Sequence, residues 1–211
     1  MQHVMDWARL NKMLINLLKT VELVFHRPNL NKDLLPAPIP DIKRVTSAKL
    51  LGVHFSSDLR FTDHVSSVVS MCNQRLYLLT QLRRQGLSAS ARENVFLAII
   101  VNRILYALPV FYGSLSEKDK VLINSIFLKA QRWKILANNC TNLETLADNA
   151  EFRLFRQTLS NCHCLNHLYT PKLKIPGAME LRKRGHNFML PTIKYDFNSR
   201  TFIARALFNF R

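Results

Sequence analysis

Residues 62–86 read TDHVSSVVSMCNQRLYLLTQLRRQG and residues 88–109 read SASARENVFLAIIVNRILYALP. In the first stretch Val65, Val68, Val69, Cys72, Leu76 and Leu79 fall on one face of a helix that Thr62 or Asp63 opens and Gly86 closes. Asn73, Gln74, Arg75, Gln81 and Arg84 take the opposite face. In the second stretch Ser88 or Ser90 caps a helix in which Val95 to Val101 run together without a polar residue. A helix apolar on most sides belongs at the centre of a bundle, and Ala107-Leu108-Pro109 ends it. Ser116 with Asp119 has the pattern of a capping box for a third helix through Val121, Ile123, Ile126, Phe127, Ala130 and Trp133. Phe127 and Trp133 are expected in its core. Three helices with short connections predict a small bundle.

Toward the N-terminus, residues 5–18 (MDWARLNKMLINLL) place Trp7, Leu10, Leu14 and Leu17 or Leu18 at helical spacing, with Asp6 as cap. Val21–His26 reads as a strand, and 29–41, with prolines at 36, 38 and 40, as a loop. Residues 42–55 read as a strand pair in which Gly52 marks a bend or a close backbone approach. Toward the C-terminus, a helical segment from Thr141 to about Tyr169 precedes a loop at 171–176. The tail, Leu181–Arg211, is basic, aromatic and weakly periodic. The fold class expected is α+β, mostly helical: a small hairpin-bearing part at 1–61, a helical bundle at 62–137 and a basic helical region at 138–211.

Composition bounds the partners. Thirty Lys and Arg stand against fourteen Asp and Glu in 211 residues, a formal charge of +16. The excess is spread along the chain, nine basic residues to five acidic in 1–60, ten to four in 61–140 and eleven to five in 141–211. Self-repulsion on this scale points to a polyanionic partner, nucleic acid first and an anionic membrane surface second. An apolar content of 48% argues for a folded chain rather than a disordered one. No uninterrupted apolar run approaches the ~20 residues of a membrane span, and the first residues carry no signal-peptide core. The four cysteines (72, 140, 162 and 164) are scattered, which fits reduced thiols and an intracellular, nuclear or cytoplasmic, location rather than secretion. No two acidic residues are adjacent, so no carboxylate cluster of the kind that holds two metal ions is visible. Neither a Gly-rich phosphate loop nor a local nucleophile signature is present.

Trp7…Leu10-Asn11-Lys12…Ile15-Asn16…Lys19-Thr20-Val21-Glu22…Val24-Phe25 resembles the fourth palm motif of reverse transcriptases from non-LTR (LINE-like) retrotransposons. Lys49-Leu50-Leu51-Gly52-Val53, followed by Asp58-Leu59-Arg60-Phe61 and His64-Val65, is similar to the family's primer-grip hairpin leading into the thumb. Cys72 to Leu79, Leu82-Arg83, Gly86-Leu87 and Arg103 to Pro109 resemble that thumb. Leu181-Arg182-x-Arg184-Gly185-His186 and Ser199…Phe202-Ile203-x-Arg205 resemble the end of such reading frames. The resemblance implies a palm remnant at 1–61, a thumb at 62–137 and a C-terminal region at 138–211. It implies a fragment of an RNA-directed DNA polymerase whose partner is an RNA/DNA primer–template. In that family the metal-holding aspartates and the fingers lie upstream of the helix that opens this sequence. The chain alone is therefore expected to hold no cofactor and not to polymerise; Mg2+ and the missing palm and fingers belong to the full-length enzyme. The alternatives are a non-catalytic basic nucleic-acid-binding module and an inert remnant of a decayed element.

By resemblance Lys19 matches the palm lysine that acts as general acid toward the leaving pyrophosphate in an intact polymerase; in its own right it is a solvated lysine after a helix. Leu51, Gly52 and Val53 match the primer-contacting backbone, and otherwise form an ordinary hairpin strand. Gln74, Arg75, Arg83 and Arg84, on or near the polar side of the first bundle helix, suit phosphate contacts, which supply affinity without sequence information. Taken singly, such an arginine is ordinarily a solvated charge. Cys162-His163-Cys164 with His167 invites a metal reading, but C-x-C on a helix points its thiols apart, and the spacing is not that of a zinc knuckle. No metal site is expected.

Overall fold

The structure, a computed structural model, describes residues 2–27, 34–136, 142–172 and 185–210. Cys140, Thr141, Leu181, Arg182 and Arg184, named above, lie outside the described residues, as do 29–33 of the proline loop and 173–176 of the later one. The chain is mostly helical with a small β part, and divides into two compact units, Met1–His64 and Val65–Arg211.

In the first unit, helix α1 spans Gln2–Leu10, shorter than the apolar spacing over 5–18 predicts. It stops because Lys12 adopts a left-handed conformation, φ 55°. Met13 N–H then donates to the Ala8 carbonyl at 2.8 Å and Lys12 N–H to the Arg9 carbonyl at 3.1 Å, the two bonds of a Schellman close. Leu14 and Leu18, expected on the helix, lie beyond it and are fully exposed. Asn16 next closes a turn on itself. Its side chain accepts from Lys19 N–H at 3.1 Å, and its carbonyl accepts the Thr20 hydroxyl at 2.9 Å.

That turn leads into β1 (Val21–Leu23), which pairs in parallel with β2 (Lys43–Val45), Glu22 opposite Arg44. The two side chains form a bidentate pair, Nε to Oε2 at 2.7 Å and Nη2 to Oε1 at 3.0 Å, and Arg44 Nη1 also donates to the Pro36 carbonyl at 2.8 Å. β3 (Ser47–Leu50) and β4 (Val53–Ser56) form an antiparallel hairpin with Leu50 opposite Val53. Its loop is the dipeptide Leu51-Gly52, with φ of 47° and 88°, the type I′ geometry whose twist suits a two-residue hairpin. Gly52 therefore makes the turn, where the sequence pattern placed it inside a strand. Beyond β4, the Ser56 hydroxyl donates to Asp58 at 2.6 Å, and Arg60 N–H donates to both side chains.

The second unit begins in the first turn of α2 (Thr62–Arg84). Val65, Val68, Cys72, Leu76 and Leu79 are buried, as the spacing predicts, and burial pushes the Cys72 thiol up to about 11. Gly86, φ 92°, ends the run, with Leu87 N–H donating to the Leu82 carbonyl at 3.0 Å. α3 (Ala89–Phe96), capped by the Ser88 hydroxyl, widens into a π-turn at Leu97–Val101 and continues as α4 (Asn102–Leu105). This helix is not enclosed on all sides. Phe96, Ile100, Val101 and Ile104 are buried, while Leu97 and Ala98 are exposed, because neighbours cover one face only. By length and composition the run Ala89–Ser114 could cross a membrane. Asn102 and Arg103 interrupt its apolar sequence, and Ala107, at φ 56°, breaks its helix.

α5 (Leu108–Phe111) and a 3-10 turn (Tyr112–Ser114) lead to α6 (Glu117–Arg132). The capping box forms as expected: Asp119 N–H donates to the Ser116 hydroxyl and Ser116 N–H to the Asp119 carboxylate, both at 3.2 Å. Ile123, Ile126, Phe127 and Ala130 are buried, but Val121 is exposed. Trp133 is the helix's C-cap and 37% exposed, not core. α7 spans Leu143–Thr158 only, opened by the Asn142 side chain, and packs against α4, α5 and α6.

The weakly periodic tail holds α8 (Asp196–Ser199) and α9 (Phe202–Asn209), the latter also packed on α7. Its aromatic residues build a second core in which Phe155, Tyr169, Ala206 and Leu207 are buried, with Phe188, Phe202, Ile203 and Phe210 against them. Beside it Glu151, 1% exposed, pairs with Arg205, Nε to Oε1 at 3.0 Å. Arg205 also donates to the Pro109 carbonyl at 3.0 Å and lies over the Tyr112 ring. Gly113 leaves room for it, since a Cβ there would overlap both the guanidinium and the Arg200 carbonyl.

Candidate nucleic-acid interface

The ends of α2 and α6 meet at a cleft of about 490 Å3. α2 contributes Tyr77, Thr80, Gln81, Arg83 and Arg84; the end of α6 contributes Arg132, Trp133 and Lys134. Tyr77, Gln81 and Arg84 recur at helical spacing and so share a face. α6 ends as α1 does: Lys134 turns left-handed, φ 52°, its N–H on the Gln131 carbonyl at 2.8 Å and Ile135 N–H on Ala130 at 2.9 Å. That turn leaves the Trp133 carbonyl facing α2, where the Arg83 guanidinium donates to it.

Among the described residues four cations line this cleft and no carboxylate does. Basic residues at helix C-termini have an ordinary structural role, offsetting the partial negative charge of the terminal carbonyls. Two helix ends together supply about one elementary negative charge. Arg83, hydrogen-bonded to a terminal carbonyl, meets most of that demand alone. Arg84, Arg132 and Lys134 form no side-chain hydrogen bond or ion pair among the described residues, so the cleft keeps a surplus of positive charge. Such a surplus beside exposed aromatic side chains suits a phosphate chain with bases attached.

The other expected residues lie elsewhere. Gln74 is exposed on the face of α2 that carries Tyr77 and Gln81, about 10 Å along the axis from the latter. Arg75 is half-buried, and its guanidinium donates to the Ile99 carbonyl in the π-turn, tying α2 to the run that α3 begins. Lys19 is exposed in the turn before β1, and Leu51-Gly52-Val53 form the hairpin tip and the start of β4. These four residues belong to the first unit, and the cleft to the second. Cys162, His163 and Cys164 sit in turns beyond α7, not on a helix; His163 Nδ1 accepts from Leu165 N–H at 3.1 Å. Among the described residues no three His, Cys, Asp or Glu side chains come together to hold a metal ion.

Sequence reasoning found Arg83 and Arg84 and missed Arg132, Trp133 and Lys134. The signal was there, since Arg132-Trp133-Lys134 interleaves an aromatic residue with two cations. Helical spacing from Phe127 drew Trp133 into the predicted core instead. No protein-family model, curated protein or solved structure matches this chain.

Proposed function

We propose that this chain grips nucleic acid through the cleft at the ends of α2 and α6, as the primer–template-holding portion of a non-LTR retrotransposon reverse transcriptase, and that it does not polymerise by itself. The observation that carries the binding is the surplus of positive charge in a cleft with no acid among its described lining residues, on a chain of net charge +16. The polymerase origin rests on the ordered resemblance from Trp7 to Arg205, which assigns α2 to the thumb. Binding of this kind is governed by phosphate neutralisation and is largely blind to sequence.

Titration of a labelled DNA or RNA–DNA duplex at several salt concentrations tests it. Three cations without a partner among the described residues predict a log–log salt slope of about −3, and Arg84→Gln with Arg132→Gln should flatten it by about 2. In the same preparation, Mg2+ and nucleotides should give no template-dependent primer extension. Micromolar protein that fails to bind at low salt would remove the reading and leave the inert remnant. Template-dependent extension would refute the non-catalytic part alone.

A further inference from the structure

We propose that the cleft receives one unpaired nucleotide, its base laid on the Trp133 indole and its flanking phosphates on Arg84, Arg132 and Lys134. This rests on the reading of the cleft as a nucleic-acid site and adds which form of nucleic acid it takes.

The cations alone leave the exposed indole of Trp133 without a role. A duplex presents phosphates outward and keeps its base faces in the stack, so it gains from arginine and lysine but has nothing to lay on an indole. An unpaired base has a free face, and stacking on an aromatic side chain is how single strands are held without regard to sequence. Trp133 is 37% exposed at the C-cap of α6, between Arg132 and Lys134 in the chain, and Tyr77 opens onto the same cleft. Among the described residues no cation lies over the Trp133 ring. Lys120 and Arg205 lie instead over the Tyr112 ring and Arg156 over the Phe152 ring. Arg83 acts as a positioning residue: its hydrogen bond to the Trp133 carbonyl fixes the backbone that carries the indole. Gln81, with an amide donor and an amide acceptor, can meet any base edge. A volume of about 490 Å3 lies within the range of small-ligand pockets and admits one nucleotide.

Trp7→Phe leaves Trp133 as the single tryptophan and makes its fluorescence the readout. An oligothymidylate of about eight nucleotides, within the usual single-strand site sizes, should quench it saturably. A dumbbell duplex closed at both ends by ethylene-glycol linkers, and so without an unpaired base, should bind, by anisotropy of its label, without quenching. Trp133→Leu, which keeps apolar bulk but removes the ring face, should weaken oligothymidylate binding by roughly 5- to 150-fold. Dumbbell affinity should stay within about twofold. Oligothymidylate bound without quenching overturns the inference and leaves the phosphate-binding reading standing. So does equal quenching by the dumbbell, or an equal loss of both ligands in Trp133→Leu. Failure of both ligands to bind overturns the reading beneath it as well.

Discussion

Four buried apolar side chains, Ala8, Ile42, Val53 and Phe61, belong to Met1–His64, against twenty-four in Val65–Arg211 among the described residues. The first unit is instead shaped by short-range polar devices. These are the left-handed close at Lys12, the Asn16 turn, the Leu51-Gly52 hairpin loop, and the Ser56–Asp58–Arg60 cluster. Longer ties are Glu22–Arg44, which joins its parallel strands, and the bond from His26 N–H to the Ser57 carbonyl at 2.9 Å. Among the described residues both its sheets are two-stranded, and two strands alone are marginal in water. Parallel strands in particular are ordinarily covered on both faces. In the second unit distant residues hold one another, as Glu151 and Arg205 do across 54 positions. The contrast teaches that charge can coexist with stability where apolar burial carries the fold. Where burial is thin, the same charges have to form the structure.

The largest expected effect lies in the well-buried unit. Glu151→Ala leaves the Arg205 guanidinium without its carboxylate among Pro109, Tyr112 and Arg200, and should destabilise Val65–Arg211 by about 3–5 kcal/mol in urea unfolding. Replacing both partners, Glu151→Leu with Arg205→Met, should recover most of that loss, because an apolar pair of similar size needs no compensating charge. A cost below about 1 kcal/mol for Glu151→Ala would mean that the tail is not part of this core.

A smaller and opposite effect is expected in the first unit. Leu51 holds φ at 47°, where the approach of Cβ to the following carbonyl oxygen strains an L-residue by about 1–2 kcal/mol. Asparagine tolerates that conformation and is the preferred residue before glycine in a type I′ turn. Leu51→Asn should therefore stabilise the hairpin by about 1 kcal/mol, read as slower amide exchange at Ala48 and Phe55, whose N–H groups face the partner strand in this register. An unchanged exchange rate would show that the turn does not limit hairpin opening.

These two sites also mark what was legible in the sequence. α2 and the start of α6 could be read because their signals are local: Gly86 at one end, Ser116 and Asp119 at the other. α1 could not be bounded, since lysine rather than glycine makes its left-handed close and the apolar spacing continues past it into exposed leucines. Gly52 was visible, but whether it bends a strand or makes a turn depends on the register of β3 against β4, which no single strand reveals. The tail looked irregular because its order comes from Phe155, Tyr169 and Glu151 on and after another helix. Half the cleft was legible for the same reason: Arg83 and Arg84 share a helix end, while Arg132 to Lys134 join them only through the packing of α6.

The smallest effect, and the one that separates the units most cleanly, is the response to acid. Glu22 sits below the ordinary glutamate value of 4.5, held there first by its hydrogen bonds from Arg44. Asp58 sits below 3.8, held by the Ser56 hydroxyl and then by Arg60 N–H. A carboxyl whose folded value is depressed contributes stability that is fully present above its unfolded value and is lost as pH falls through the folded one. Between pH 7 and 5 both groups are ionised in either state, so neither changes the stability of the first unit there. Below about pH 4.5 it should weaken, with amides of Val21–Leu23 and Lys43–Val45 losing exchange protection before those around Leu76 and Ile104. Glu22→Gln keeps the shape of the side chain, removes its charge, and should lower protection of β1 and β2 at pH 7 while flattening their acid response. If both segments lose protection at the same pH in the parent chain, the carboxylates are not what holds the first unit, and the contrast between the units is one of burial alone.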